Sequence, residues 1–217
     1  MTMKGISPSL PSPYLRSRVK PGKSATNASR VRVSRLNSVD FPTSYPSTAH
    51  FSRLIGWSHA ADESFFKSGT VASNGIKNMA ETGGTSPLDD ELMQLIEEGR
   101  GYKQYIGSGL VSGTGEIEIN VEVTEQYPSI TLATMIAPSP DWYIAVVDIN
   151  LMENNSFIDE KTVDAHVYDA GTDSGTTYSS ANSVTDPQKS ITLFVDAPLG
   201  DGVALNASIA SVNFRKM

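Results

Sequence analysis

The sequence predicts an all-β fold, an antiparallel β-sandwich with one or two short helices in its N-terminal half and an extended N-terminal arm. Three observations point there. The 217 residues include 17 glycines and 12 prolines, and polar turn formers separate short β-branched runs. One run, Glu116 to Val123, alternates acidic or polar residues with Ile and Val without a break. Six such runs follow one another with no helical stretch between them, which suits a sandwich rather than a parallel α/β sheet.

In chain order, residues 1–46 read as a disordered or extended arm. Pro8, Pro11, Pro13, Pro21, Pro42 and Pro46 stand among serines and arginines, and no period is sustained. Residues 47–217 form the predicted domain, whose ordered sequence begins at His50-Phe51-Ser52. A helix is predicted over Asn74–Glu81, where Ile76, Met79 and Ala80 share one face. A second is predicted over Leu88–Glu98, capped by Ser86, with Pro87 in its first turn. Asp89, Asp90 and Glu91 complement the positive end of its dipole, Leu88, Leu92, Leu95 and Ile96 form its stripe, and Gly99 stops it.

From there the period shortens to two. Glu116–Val123 describes a strand with one wet and one dry face. Ile130–Ala137 and Trp142–Ile149 are apolar strands joined by the turn Pro138-Ser139-Pro140-Asp141. Thr162–Tyr168, Ile191–Asp196 and Val203–Phe214 complete the set, the last with the weakest alternation. Trp142 is read as a core residue on an inner strand face, with a ligand-facing surface as the alternative.

Charge divides the chain. Residues 1–40 carry eight basic side chains against Asp40 alone, and the remainder carries nine basic against 23 acidic ones. An acidic body repels nucleic acid, so no nucleic-acid partner is expected for it. The arm has the composition of an organelle transit peptide, and equally of an assembly arm through which the chain forms homo- or hetero-oligomers. With no cysteine, disulfides and thiolate metal sites are excluded. No segment is a transmembrane candidate, and the first 20 residues lack the apolar middle of a secretory signal.

Catalytic patterns are sparse. His50 and His59 match no zinc spacing and are read as buried, hydrogen-bonded structural residues, while His166 lies within a strand. Neither a Gly-x-Ser-x-Gly elbow nor a phosphate-binding Gly-Lys-Ser/Thr loop occurs. The expectation is therefore a non-enzyme, with a calcium-dependent hydrolase as the remote alternative. More suggestive is Asp169-Ala170-Gly171-Thr172-Asp173-Ser174-Gly175, a tight loop with two carboxylates. Hard cations take several such oxygens, although Asp and Gly also populate ordinary turns.

The series His50-Phe51-Ser52-Arg53-Leu54-Ile55-Gly56, His59, Phe65-Phe66, Gly75-Ile76-Lys77, Ala80-Glu81-Thr82-Gly83, Pro138-Ser139-Pro140-Asp141-Trp142 and the Asp169–Gly175 loop resembles the spondin amino-terminal domain. The likeness runs over about residues 49–215. It implies an antiparallel sandwich similar to calcium-dependent membrane-binding domains, with one Ca2+ held by Asp141, Asp169 and Asp173. It further implies a secreted, extracellular adhesion or binding module with a protein or carbohydrate ligand. Organelle targeting and a structural subunit of a larger assembly are the alternatives. The cysteines and thrombospondin-type repeats of animal members are missing here.

Overall fold

The computed structural model describes residues 24–33 and 36–217. The arm reading of residues 1–23 and 34–35 lies outside the described residues. Among those described, the elements in chain order are β1 (Ser24–Val33), β2 (His50–Phe51), β3 (Ile55–His59), α1 (Asn74–Thr82), α2 (Leu88–Glu97), β4 (Gly101–Ile106), β5 (Gly115–Thr124), β6 (Ser129–Ala137), β7 (Trp142–Asn150), β8 (Met152–Glu153), β9 (Ser156–Phe157), β10 (Glu160–Asp164), β11 (His166–Asp169), β12 (Thr192–Leu193) and β13 (Ser211–Lys216). A larger sheet runs β12-β11-β7-β6-β3-β4 with β2 beside β6, a smaller one runs β10-β13-β1-β5, and β8 and β9 form a separate hairpin. Every pairing is antiparallel.

The alternation of β6 and β7 builds three layers. Leu132 and Ile136 of β6 and Trp142, Ile144 and Val146 of β7 face the smaller sheet, where they meet Ile117, Val121 and Val123 of β5 and Val212 and Phe214 of β13. Ala133, Met135, Tyr143 and Ala145 face the other way and pack under Ile76 and Met79 of α1 and Leu88 and Leu92 of α2. The expected sandwich is thus present, with the two helices laid over the outer face of its larger sheet.

Helix α1 begins at Ser73, whose Oγ accepts the Ile76 N–H at 3.2 Å. Its free N-terminal groups are also bound by the neighbouring helix: Glu91 accepts the Gly75 N–H at 2.7 Å and the Ser73 hydroxyl at 2.6 Å. Gly75 permits this approach, because a Cβ there would lie 2.5 Å from the Leu88 Cα. Ser86 does not cap α2. Pro87 holds the N-cap position without a side-chain bond, and the Ser86 carbonyl instead accepts from Asn78. At the other end Gly99, at φ +79°, turns the chain out of the helix as expected.

Three strand assignments change. Thr162–Tyr168 is two strands, β10 in the smaller sheet and β11 in the larger, with the small buried Ala165 at the corner between them. The 191–196 run keeps only Thr192–Leu193 as strand, and Ile191 ahead of it bonds to the Thr70 carbonyl instead. Residues 203–210 are irregular because Asp201 Oδ1 accepts the Val203 and Ala204 amides and bends the chain there. Within the segment assigned to the arm, residues 24–33 form β1, which lies between β5 and β13 and sets Arg30 opposite Glu118 and Arg32 opposite Glu116. Leu36 and Phe41 are wholly buried in the sandwich core, so packing begins before residue 47.

The two sheets are tied at one open edge by a tyrosine hydroxyl, beside the Lys103–Glu122 ion pair. Tyr105 of β4 donates to the Glu122 carbonyl and accepts from the Glu122 N–H, both at 2.8 Å, replacing the ladder bonds that β5 lacks on that side. Removing the oxygen in Tyr105→Phe strands both groups, and the expected loss is about 1–3 kcal/mol in urea unfolding. An unchanged midpoint would show that water satisfies that edge as well as the phenol does.

Candidate metal centre

Strands β7 and β11 pair with Trp142 opposite Asp169, so the residue before β7 and the loop after β11 meet at one end of the larger sheet. Asp141 is wholly buried there. Its carbonyl accepts the Ala170 N–H at 3.2 Å. Its Oδ2 accepts the N–H groups of Thr172 and Asp173, at 2.7 and 3.1 Å, and the Thr172 hydroxyl at 3.2 Å. Its Oδ1 is buried and has no hydrogen-bond partner. A buried carboxylate with one oxygen saturated and the other vacant is short of a positive neighbour.

The loop that reaches Asp141 is folded by its own aspartates. Asp169 Oδ1 accepts the Gly171 N–H and Asp173 Oδ1 the Gly175 N–H, each at 2.7 Å, two turns of the same kind four residues apart. Asp173 Oδ2 accepts the Ser183 N–H at 3.2 Å, and Asp173 bridges to Val184, so this carboxylate oxygen and the backbone together tie the 172–174 segment to 183–185. Gly171, at φ +73°, and Gly175, which abuts Pro140, are the positions where a side chain could not fit: a Cβ would come within 2.4 Å of the Lys189 carbonyl and 2.7 Å of the Pro140 ring.

Beside this loop lies an open cleft of ≈ 450 Å³ lined by Asp169, Asp173, Thr185, Lys189, Phe194 and Asp196 among others. Phe194 stacks on the indole of Trp142 with ring centroids 4.4 Å apart, and Tyr178 meets that indole edge-on at 5.8 Å. Trp142 is wholly buried and is a core residue, as expected. It fixes the start of β7 and so the place of Asp141.

Burial pushes Asp141 up to about 6, with repulsion from Asp169 adding to it and the Thr172 and Asp173 donors opposing it. Asp169 is also pushed up, again chiefly by burial. The three predicted aspartates therefore share one loop end, with Asp141 behind and Asp169 and Asp173 on the cleft. Among the described residues no three His, Cys, Asp or Glu side chains are gathered closely enough to hold a metal by themselves. An ion at this end would complete its shell from loop carbonyls and water, which hard cations accept. The vacant Asp141 Oδ1 and the all-oxygen donor set fit such a cation.

The Spondin_N family model matches residues 33–198. The chain belongs to that family. Human spondin-2 is 33% identical over 156 residues, covering 70% of this chain and 47% of its own length. Rat spondin-1 is 32% identical over 156 residues, covering 69% and 19%, and chicken spondin-1 is 31% identical over 157 residues, covering 70% and 19%. The chain thus spans about half of spondin-2 and about a fifth of spondin-1. The match starts at 33 rather than 49, in keeping with the burial of Leu36 and Phe41, and stops before β13. This spondin domain therefore draws the two central strands of its smaller sheet, β1 and β13, almost wholly from sequence beyond the match.

Sequence reasoning missed the donors. Nothing in the chain signals that Thr172, Asp173, Gly175 and Ser183 amides hold the carboxylates, since backbone groups carry no residue code. His50 is exposed, not buried as expected, and its ring bonds to the nearby Thr48 carbonyl. His59 is buried and hydrogen-bonded.

A raised folded-state pKa on Asp141 means the folded protein holds this proton more tightly than the unfolded chain. Its stabilising effect is complete below the ordinary aspartate range and is lost as pH climbs through about 6. In chelator, Asp141→Asn is expected to flatten that fall in stability between pH 4 and pH 6.5, measured by urea unfolding. Parallel profiles for the two proteins would show that Asp141 is solvated.

Proposed function

We propose that this domain is an extracellular adhesion or ligand-binding module without catalytic activity, and that its loop end is ordered by one Ca2+ held with Asp141, Asp169 and Asp173. The observation that carries the calcium reading is the buried, unpartnered Asp141 Oδ1 at the end of the sandwich to which strand pairing also brings the Asp169–Gly175 loop. Asp141 and Asp169 would supply charge to the ion, whose own charge relieves their repulsion. Asp173 would chiefly hold the loop, since its oxygens already accept from Gly175 and Ser183. Family membership supports the adhesion reading and a secreted location, with organelle targeting as the alternative. The partner would be a protein or carbohydrate meeting the cleft beside Phe194 and Lys189.

A thermal melt with calcium and then with chelator tests this. A cation that binds only the folded state adds about 2.7 kcal/mol at a hundredfold excess over Kd. For a domain of this size that is roughly 5–11 °C in Tm. The expected result is a chelator-sensitive Tm that Asp141→Asn and Asp169→Asn have already lost. A Tm indifferent to both chelator and substitution would remove the metal and leave the fold intact.

The second reading is a structural subunit of an assembly, favoured by the basic N-terminal region against an acidic body. Residues 24–33 are taken up by the chain's own sheet, which leaves residues 1–23 to contact a neighbour. Light scattering on a chain lacking residues 1–23 decides it: smaller oligomers are expected, and an unchanged mass would sink this reading.

A further inference from the structure

At the opposite end of β7 a second buried group is held in one protonation state by its neighbours. His59 is completely buried, as is Thr131. The His59 Nδ1 lies 2.7 Å from the Ala60 carbonyl, which can only accept, so Nδ1 carries the proton. Nε2 of the neutral ring is then an acceptor, 2.8 Å from Thr131 Oγ1. That oxygen already accepts the Asp148 N–H at 3.0 Å, and its own hydrogen is the one that reaches His59. The chain of donors therefore runs from Asp148 N–H to the Thr131 hydroxyl, to the His59 ring and on to the Ala60 carbonyl.

This chain sits where the sheet is irregular. The register shifts at Ser58/His59 between β3 and β4 and between Ile130 and Leu132 on β6 against β7. Asp148 and Asp62 both have left-handed backbone, at φ +52° and +63°. The two are joined, since the Asp62 N–H donates to Asp148 Oδ2 at 3.0 Å. The Ala60 carbonyl also accepts the Glu63 N–H, closing a turn. Beyond the turn Phe66 packs edge-on against Tyr143 and Tyr168, and a cavity of ≈ 310 Å³ lies between Asp62, Phe66, Lys67, Val147, Asp148 and Tyr168. The charged groups facing the imidazole are Asp148 from β7, its Oδ1 buried, unpartnered and 4.0 Å from Nδ1, and Glu63 from the turn, paired with Arg100 ahead of β4.

We propose that His59 is a buried proton-sensing latch, which holds the 60–67 segment against β7 while neutral and releases it when protonated. A proton added at Nε2 meets the Thr131 hydroxyl hydrogen head-on. Thr131 must rotate, and no second acceptor is in place for it among its hydrogen-bond partners. The imidazolium keeps its Nδ1–H on the Ala60 carbonyl, so the ring moves off Thr131 and carries Ala60 and the turn it closes away from β7. Desolvation holds His59 below the ordinary histidine range, more than the Ala60 carbonyl, Asp148 and Glu63 raise it, so the neutral form is the resting one at pH 7. Because the folded-state value is lowered, the neutral latch contributes its full stability above the unfolded-state value. That stability is lost as pH falls through 6.5 toward the folded value. Thr131 and His59 are sealed from solvent, so the row is not placed to attack an outside substrate.

Two measurements on the full chain test the latch. Nitrogen-15 NMR of the wild-type ring is expected to show the Nδ1–H tautomer at pH 7.5, and the Nε2–H tautomer would overturn the proposal. Hydrogen exchange of the Asp62–Lys67 amides, corrected for its intrinsic pH dependence, is expected to quicken at least tenfold from pH 7.5 to pH 5, with α1 and β6 unchanged. Exchange that follows the intrinsic dependence alone would overturn it too. His59→Asn keeps a neutral donor toward Ala60 and is expected to abolish the excess. An excess that persists in this variant would assign the opening to another group.

Discussion

Strand β6 is buried along all nine of its residues, and a strand with two apolar faces must be covered on both sides. The molecule meets that demand in two ways. On one face α1 and α2 lie across Ala133 and Met135, and on the other the smaller sheet closes over Leu132 and Ile136. A chain of this length has few strands to spare, so the smaller sheet is completed by β1, drawn from the basic N-terminal region, between β5 and β13. Placing β7 beside β6 then fixes the buried Asp141 at one end and the half-buried Asp148 near the other, the two carboxylates on which the local chemistry turns.

What could be read in the sequence follows from which forces leave a periodic trace. The alternation of Glu116–Val123 reports a half-buried strand directly, and β5 spans it. The apolar run Ile130–Ala137 reports burial on both sides but not what covers it. The stripe of α1 was legible in Ile76, Met79 and Ala80, yet its N-terminal partner Glu91 was not, because that bond joins two helices across the fold. Strand β1 was hidden by its composition: serines, arginines and a flanking proline look like an arm until a partner on each side supplies the ladder. Ala165 is a similar case. A seven-residue β-pattern crosses between sheets there, and a pattern of period two does not record a change of partner.

The candidate site was legible in part for the same reason. Its residues share a motif order, and strand pairing brings the start of β7 to the end of β11, which places Asp141 beside the Asp169–Gly175 loop. The vacancy on Asp141 Oδ1 was not legible. It arises because Thr172 and Asp173 turn their amides to the other oxygen, a choice made by loop geometry. His59 was recognisable as a structural histidine, but its tautomer depends on Thr131 and on the Asp148 amide, two groups brought together by irregular register.

The acidic balance of the body acquires a structural meaning at this point. Past residue 40 there are nine basic side chains for 23 acids, too few to pair each carboxylate with a cation of the protein's own. The chain uses backbone N–H groups instead. Thr172 and Asp173 serve Asp141, Gly171 serves Asp169, Gly175 and Ser183 serve Asp173, Asp62 serves Asp148, and Gly75 serves Glu91. Each bond ties a loop or a helix end to a carboxylate, so the acids act as fasteners for irregular backbone. Amides satisfy lone pairs without neutralising charge, and the debt grows where carboxylates are both buried and close. Asp141 and Asp169 are the pair for which that holds, and Asp141 alone among the three loop-end aspartates keeps a buried oxygen with no donor. The divalent cation proposed for that end would do what a lysine could not: the loops are already shaped around the acids, and an ion small enough to enter between them would supply the missing charge.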